Sequence, residues 1–337
     1  MSPMSLISPS RFFAAIALAF VLVAPGLSAA ETRSFVFEYT TQVGPAEPGH
    51  ALDVFVPLAA SNAQQVVVDE QITASIPGSI RHDDAYGNRY WHGRLETTSD
   101  KPIEVTVRTQ VERRVSRLAP PSKSRALTPD ERTKLAAFLG PNRRVPVDHP
   151  ILDPIRVEIH KRAGSDDPAA IARAIYDWVI DNVEYKKVGT GWGNGDTFWA
   201  CNERRGNCTD FHALFISLAR SEGIPARFEI GFPVPADRSK GKIAGYHCWV
   251  QFYLPEVGWF PIDASEAFKD PARRDYFYGA HPDDRIHMTT GRDLKLGPDE
   301  AAKPVNYFVY PHIELDGAAF RGAVENTFRY EDTTGPE

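Results

Sequence analysis

Cysteine is scarce: Cys201, Cys208 and Cys248 are the three in a chain of 337 residues. Three are too few for a disulfide scaffold, and the odd number leaves at least one thiol unpaired within the chain. Excess positive charge is lacking too. The formal net charge of −6 argues against a general nucleic-acid binder, which carries a basic surface. Past the N-terminal segment no stretch is long and apolar enough to span a bilayer. No acidic loop has calcium-ligand spacing. His281, His287 and the pair Asp283-Asp284 lack metal-ligand spacing and read as solvated loop residues, so neither a metal nor a cofactor is expected. No internal repeat or low-complexity tract is present. What is there is of ordinary globular composition and long enough for two domains.

The N-terminus carries a targeting pattern. Arg11 precedes an apolar run from Phe12 to Ala24, the pair Pro25-Gly26 breaks it, and the small residues Ser28, Ala29 and Ala30 follow. Charged start, short apolar middle and small-residue end predict a secretory signal peptide over residues 1–30, cut after Ala30. The run is too short to cross a bilayer, and the first cysteine, Cys201, is too far away to take a lipid at the cut. The mature protein, residues 31–337, is expected to be soluble and periplasmic or secreted. In an oxidising compartment an unpaired thiol is a hazard unless it has a task. One cysteine is therefore a functional suspect; a small, inert buried thiol is the plain alternative.

Residues 31–118 alternate as strands do. Phe35, Phe37 and Tyr39 take turns with polar neighbours, and Ile103, Val105, Val107, Thr109 and Val111 share one face. With turns such as Tyr86-Gly87-Asn88 between the runs, this predicts an antiparallel β-sandwich. Residues 119–154 read as a proline-rich connector with one short helix, opened by the capping box Thr128-Pro129-Asp130-Glu131 and running to about Leu139. The next domain spans 155–320, and 321–337 reads as a C-terminal tail. Its opening helix is capped by Asp167 with Pro168 at the first turn; Ile171, Ile175, Trp178 and Val179 make its apolar stripe. A glycine-rich loop, Gly189 to Trp199, precedes a helix from about Cys208 to Glu222 that ends at Gly223. Strands are expected at Gly245–Leu254, Gly258–Asp263 and Tyr307–Tyr310. The fold class is α+β, an N-terminal antiparallel β-sandwich followed by an α+β domain.

Cys208 lies where the second helix begins. Unsatisfied N–H groups at a helix start stabilise a thiolate, and Gly206 leaves room for a substrate carbonyl. Its partners are on two strands. A turn centred on Pro255 sets Tyr253 opposite Val257 and, further along, His247 opposite Asp263, with Cβ atoms roughly 5 Å apart. The expected roles are Cys208 as nucleophile, His247 as base and proton donor, and Asp263 as its orienter; a His–Asp bond that merely staples the hairpin is the bland alternative. The Cys208 N–H is the natural first oxyanion donor, with Asn202, Trp192 and Trp199 as candidates for the second. Asp210 reads as a first-turn helix anion, His212 as a structural residue, and Trp249 and Trp259 as core aromatics. By strand alternation Cys248 faces away from the nucleophile. A Cys201–Cys248 disulfide and two buried thiols are both open.

These residues lie in GNCTDFHALFISLARSEGIPARFEIGF and GYHCWVQFYLPEVGWFPIDASEA, with TGRDLKL and NYFVYPHIELDG downstream. Together the segments resemble bacterial transglutaminase-like proteins over roughly residues 155–320. The family order is Cys, His, Asp, with the cysteine starting a helix and the others on adjacent strands; Cys208, His247 and Asp263 match it. The resemblance implies a papain-like fold, often preceded by a β-sandwich, and a cysteine enzyme acting on peptides or proteins without a cofactor. Its members include peptidases, protein cross-linkers and relatives that have lost catalysis. The expected function is therefore a peptidase or amidase; a cross-linking acyltransferase and a non-catalytic peptide-binding protein are the alternatives. From the compartment alone, cell-envelope peptides are the expected substrates.

Overall fold

A computed structural model describes residues 32–297 and 303–333. The expected signal peptide lies outside the described residues.

The alternation read from the sequence builds two five-stranded sheets. In the first, Phe35, Phe37, Tyr39 and Val43 of the strand Thr32–Val43 stand opposite Val111, Thr109, Val107 and Ile103 of the strand Ile103–Arg114, and all are buried. The full order is Lys240–Lys242, Val324–Asp332, Thr32–Val43, Ile103–Arg114, Gln65–Ala74. The second sheet runs Ala318–Ala319, His312–Leu315, Leu52–Pro57, Arg89–Leu95, Gly78–His82. Val54, Val56 and Trp91 of this sheet share a hydrophobic cluster with the inner residues of the first. Both sheets are antiparallel throughout.

Two segments differ from expectation. The supposed tail 321–337 contributes Val324–Asp332, which pairs with the first strand from Phe35↔Asp332 to Val43↔Val324. Only its Phe328 and Tyr330 are buried; two apolar residues among charged ones give too weak a period to read. Likewise His312–Leu315 and Ala318–Ala319 belong to the sandwich and not to the domain that precedes them. The sandwich thus joins strands from residues 32–114 with strands from residues 312–332.

Six α-helices are described. α1 is Pro129–Lys134 and α2 is Asp153–Ala163. α3 is Pro168–Asn182, α4 Thr197–Glu203, α5 Cys208–Ser221 and α6 Ala264–Lys269. The capping box on α1 is formed, Glu131 Oε2 accepting the Thr128 N–H at 2.8 Å. Beyond Leu135 the helix tightens into a 3₁₀ turn, Ala136–Phe138. α2 has no counterpart in the sequence reading, because Ile155 and Ile159 are its only buried residues. α3 is capped by Asp167 as expected. Tyr307–Tyr310 is irregular rather than a strand, and its neighbourhood joins Leu294 only through a bridge at Val305.

A four-stranded antiparallel sheet, ordered Gly258–Ile262, His247–Leu254, Ala226–Pro233, Arg285–Thr290, packs against α5, where Phe215 meets Phe252 with ring centroids 5.9 Å apart. Every α5 residue is buried. Phe211, Leu214, Phe215 and Leu218 each contribute about 1.5–3 kcal/mol by leaving water. This helix and this sheet hold the candidate site.

Candidate active site

Helix α5 starts at Cys208 because Asn207 caps it. The Asn207 side-chain oxygen accepts the Thr209 N–H at 2.9 Å, and Asp210 Oδ2 returns to accept the Asn207 N–H at 3.0 Å. Asp210 does more than complement a helix start. Its carboxylate also takes the Gly193 N–H at 2.7 Å and the Gly195 N–H at 3.1 Å. Gly193 and Gly195 have φ of +81° and +57°, a backbone that turns successive N–H groups onto one anion and that side chains disfavour. Asp210 thus ties the glycine-rich loop to the first turn of α5. On the far side of the cap, Asn207 Nδ2 donates to the Tyr246 hydroxyl at 3.0 Å.

His247 and Asp263 meet, through a register other than the expected one. The hairpin pairs Leu254↔Gly258, Phe252↔Phe260 and Val250↔Ile262, so its centre is Glu256 and not Pro255. Pairing slides by two residues, which preserves the face of every side chain. His247 is therefore a diagonal rather than a direct neighbour of Asp263, and the carboxylate spans the difference: Oδ2 accepts from His247 Nε2 at 2.7 Å. Asp263 is itself held on every side. It caps α6, taking the Glu266 N–H at 3.1 Å and the Ser265 hydroxyl at 3.0 Å on Oδ1, while Arg285 Nη1 donates to Oδ2 at 2.9 Å. Gly231 pairs with His247 on the other flank; a Cβ there would lie 1.8 Å from the Ile286 carbonyl oxygen, so only glycine lets the adjoining strand come this close.

Cys248 corrects the sequence reading. It faces α5, the helix that Cys208 opens, and is near enough to shift the Cys208 thiol. His247, first in its strand, reaches the same sulfur. Alternation separates neighbours by face within a sheet, whereas Cys208 sits at the strand's end, within reach of both. His212 Nδ1 lies 3.4 Å from Cys248 Sγ. All three cysteines are buried free thiols, so the Cys201–Cys248 disulfide is not formed.

The site is closed. Cys208 is 2% exposed, His247 7% and Asp263 1%. Contact with the Cys248 thiol, against the opposing effect of burial and together with the His247 imidazolium, holds the Cys208 thiol well below its ordinary value of 9.0. Burial alone would lower His247; the Asp263 carboxylate and Cys208 outweigh it and raise His247 to about 10. Asp263, pushed up by burial, is brought well below the carboxylate range by His247 and Arg285. Both shifts favour a thiolate on Cys208 and an imidazolium on His247. Burial brings His212 down to about 4, leaving it neutral.

With the Thr209 N–H on Asn207 and the Asp210 N–H on the Asn207 carbonyl, the Cys208 N–H is the first-turn donor left for a carbonyl oxygen. Two of the three expected second donors are engaged elsewhere and the third faces solvent. Trp192 Nε1 donates to the Gly189 carbonyl at 3.0 Å, Trp199 Nε1 to the Arg205 carbonyl at 2.8 Å, and Asn202 is exposed on α4. Tyr185 and Tyr246 are close enough to feel the charge of Cys208, and Lys269 Nζ lies 4.2 Å from the Tyr185 ring. Nothing in the sequence pattern singled out Arg285, Tyr185 or Tyr246.

Other expectations resolve away from the site. Trp249 is core, donating to Glu229 at 2.6 Å. Trp259 packs on Phe138 and Arg227, half-buried. His281 and His287 are not solvated: both are buried, in a polar layer where His281 Nδ1 meets Arg113 Nη2 at 2.8 Å. Among the described residues no group of three or more His, Cys, Asp or Glu side chains is placed so that it could hold a metal ion.

Residues 157–264, which include Cys208, His247 and Asp263, match the model of the Transglutaminase-like superfamily. The chain is 27% identical over 197 residues to an uncharacterized protein of Haemophilus influenzae, covering 49% of this chain and 53% of that one. It is 32% identical over 79 residues to the uncharacterized protein YebA of Bacillus subtilis, covering 21% of this chain and 11% of YebA. It therefore spans about half the length of the first relative and a small part of the second. Among solved structures, a Cytophaga hutchinsonii protein proposed to be a cysteine protease superposes with a TM-score of 0.60 at 18% identity, over 91% of this chain and 92% of that one. That likeness shows a shared fold across sandwich and helical domain together. The periplasmic domain of TgpA from Pseudomonas aeruginosa is less similar, with a TM-score of 0.34 at 16% identity over 73% of this chain and 91% of that domain. The chain therefore carries a transglutaminase-like domain over residues 157–264, and that domain contains the cysteine, the histidine and the aspartate described above.

Proposed function

We propose that this protein is an exported cysteine enzyme that forms a thioester between Cys208 and the carbonyl of a peptide or isopeptide bond and hydrolyses it. The observation that carries the reading is the arrangement of three buried side chains: Cys208 at a helix start, His247 at the start of a strand, and the Asp263 carboxylate 2.7 Å from the imidazole's Nε2; the downward shift of the thiol and the upward shift of the imidazole agree with it. Nε2 is engaged by Asp263, so Nδ1 is the nitrogen that serves Cys208. The thiolate attacks the carbonyl carbon and an S–C bond forms, its charge passing to the oxygen held by the Cys208 N–H. As the C–N bond breaks, the proton on His247 Nδ1 goes to the leaving amine. His247 then takes one proton from water, which attacks the thioester; the S–C bond breaks, the thiolate is restored beside the imidazolium, and the carboxylic acid released loses its own proton to solvent. Export is supported by the charged, apolar and small-residue order of residues 1–30. No helix among the described residues is long and apolar enough to cross a membrane.

Peptide p-nitrophenyl esters test this directly. A burst of nitrophenolate equal to the enzyme concentration, with the acyl group found on Cys208 by mass spectrometry and lost in Cys208→Ala, is the expected result. Release of free acid in the presence of glycinamide supports hydrolysis, and release of the amide supports transfer. Reversible peptide binding without any adduct, unchanged in Cys208→Ala, overturns the enzyme reading in favour of a binding protein.

A further inference from the structure

Attack on a carbonyl moves charge onto its oxygen, and the Cys208 N–H is one donor for that charge. The glycine-rich loop does not supply a second. Trp192 and Trp199 give their ring N–H groups to carbonyls, and the Gly193 and Gly195 N–H groups go to Asp210. Asn194 Nδ2 donates to the Gly191 carbonyl at 3.0 Å.

Tyr246, the residue before His247, meets the same helix start. Its hydroxyl accepts from Asn207 Nδ2 at 3.0 Å. Asn207 is the cap of α5, and its carbonyl carbon is bonded to the Cys208 nitrogen. The hydroxyl and the Cys208 N–H are therefore anchored to one residue at the end of the helix where the free N–H groups point outward.

The proton of this hydroxyl is spare. An O–H···O bond is ordinarily about 2.5–3.0 Å long. Among the described residues the acceptors within reach of Tyr246 Oη are the Gly193 carbonyl at 3.4 Å and Tyr307 Oη at 3.5 Å. Tyr307 already donates to that carbonyl at 2.8 Å. Asn207 takes a lone pair of Tyr246 Oη and leaves its O–H for another acceptor. The ring is held, with Tyr307 and Tyr310 packed on it at centroid distances of 5.7 and 5.8 Å. Burial raises the phenol far above its ordinary 10.0, so the proton stays in place at neutral pH.

We propose that Tyr246 is a catalytic residue, the second oxyanion donor: its O–H and the Cys208 N–H together hold the substrate's carbonyl oxygen as charge develops on it. The inference rests on the reading of Cys208 as nucleophile. The proton remains on the phenol throughout, and the hydrogen bond strengthens as the oxygen becomes anionic. The hydroxyl gives up only long contacts when a carbonyl oxygen arrives. Held by Asn207 and two rings, it is in position before the reaction begins.

The test compares wild type and Tyr246→Phe, as whole mature proteins, in two reactions of one thiol. Acylation by a peptide p-nitrophenyl ester, followed as a single turnover, builds an oxyanion. Alkylation by iodoacetamide displaces iodide at a saturated carbon and builds none. In Tyr246→Phe, acylation at saturating ester is expected to slow by about 10²–10³-fold. Half-saturation is expected to change by less than about threefold, and Cys208 is expected to alkylate as in wild type. Acylation at the wild-type rate overturns the proposal. So does alkylation slowed as far as acylation, which marks a role through the thiol or the helix cap.

Should Tyr246→Phe not fold, 3-fluorotyrosine at position 246 of the otherwise wild-type chain decides. A peptide aldehyde takes the Cys208 sulfur onto its carbonyl carbon and sets an oxygen where the oxyanion forms. The fluorine resonance is expected to move on adding the aldehyde, and to stay in place when Cys208→Ala is also present. A resonance that the aldehyde leaves unmoved overturns the proposal. A wild type that forms no acyl-enzyme removes the nucleophile reading and this inference with it, whereas acylation that Tyr246→Phe leaves intact removes only the inference.

Discussion

One carboxylate organises the residues around Cys208. Asp263 accepts from His247, Arg285, Ser265 and the Glu266 backbone, so the imidazole it holds cannot swing away and the charge it supplies is fixed. Its replacement by asparagine removes that charge and leaves the buried Arg285 with Asp284, 3.4 Å from its Nε, as its remaining ion-pair partner. For Asp263→Asn, kcat/KM on a peptide ester is expected to fall by about 10²–10⁴-fold, and the alkaline limb of the pH profile, set by His247 near 10, is expected to move toward the ordinary histidine value of 6.5. An unmoved limb would contradict the assignment. The three residues are visible in the sequence because each has a local signal: a helix start, a strand residue, a strand end. Cys248, Arg285 and Tyr246 have none. Their positions depend on where α5 begins relative to the end of a strand and on which strand lies beside Asp263, and both are settled by packing.

At the level of elements, the start of α5 and the glycine-rich loop form one unit through Asp210. Burial raises this carboxylate and the N–H groups of Gly193, Asn207 and Asp196 oppose that effect, so the anion is matched by backbone dipoles and by no arginine or lysine among them. Asp210→Ala leaves these donors without an acceptor and removes half of a capping box. The expected cost is about 2–4 kcal/mol, measured as a lower urea midpoint at unchanged slope. A change below about 0.5 kcal/mol would mean that the loop finds other partners. Strongly periodic and capped elements, α3, α5 and the two long strands of the first sheet, can be read from the sequence with nearly correct ends. α2 and Val324–Asp332 cannot, since each buries only two apolar residues. The hairpin shows the finer limit. Its turn lies one residue from the expected centre, yet the even slip of pairing keeps His247 and Asp263 on one face, so the partnership was legible although the register was not.

For the whole molecule, sandwich and family domain share a single hydrophobic cluster. Phe232, from the sheet beside α5, inserts among Phe37, Tyr39 and Phe328 of the sandwich, with ring centroids 5.2, 6.1 and 4.3 Å away. Between the two runs the polar layer of Arg113, Glu229, His281 and His287. Burial lowers His281 and His212 to about 4 and lowers His287 as well. The unfolded chain takes up these protons near 6.5, whereas native His281 and His212 do so only at about 4 and native His287 below its ordinary value, so their contribution to stability is whole above pH 6.5 and falls as the pH drops through that window. His247 has the opposite sign, its contribution being complete below 6.5 and lost only as the pH rises through about 10, so it does not mask the effect. Thermal melts are expected to show Tm declining steadily from pH 6.5 to 4; a flat Tm would mean that these histidines are charged, or hydrated, in the native protein.

The central claim, a nucleophilic thiolate at Cys208, is tested most directly by the rate at which iodoacetamide alkylates each cysteine of wild type and of His247→Ala at pH 6. Cys208 is expected to react in wild type, Cys201, pushed up to about 11 by burial, is expected not to, and loss of His247 is expected to slow Cys208 at least tenfold. A Cys208 no more reactive than Cys201, or one indifferent to His247, would contradict it.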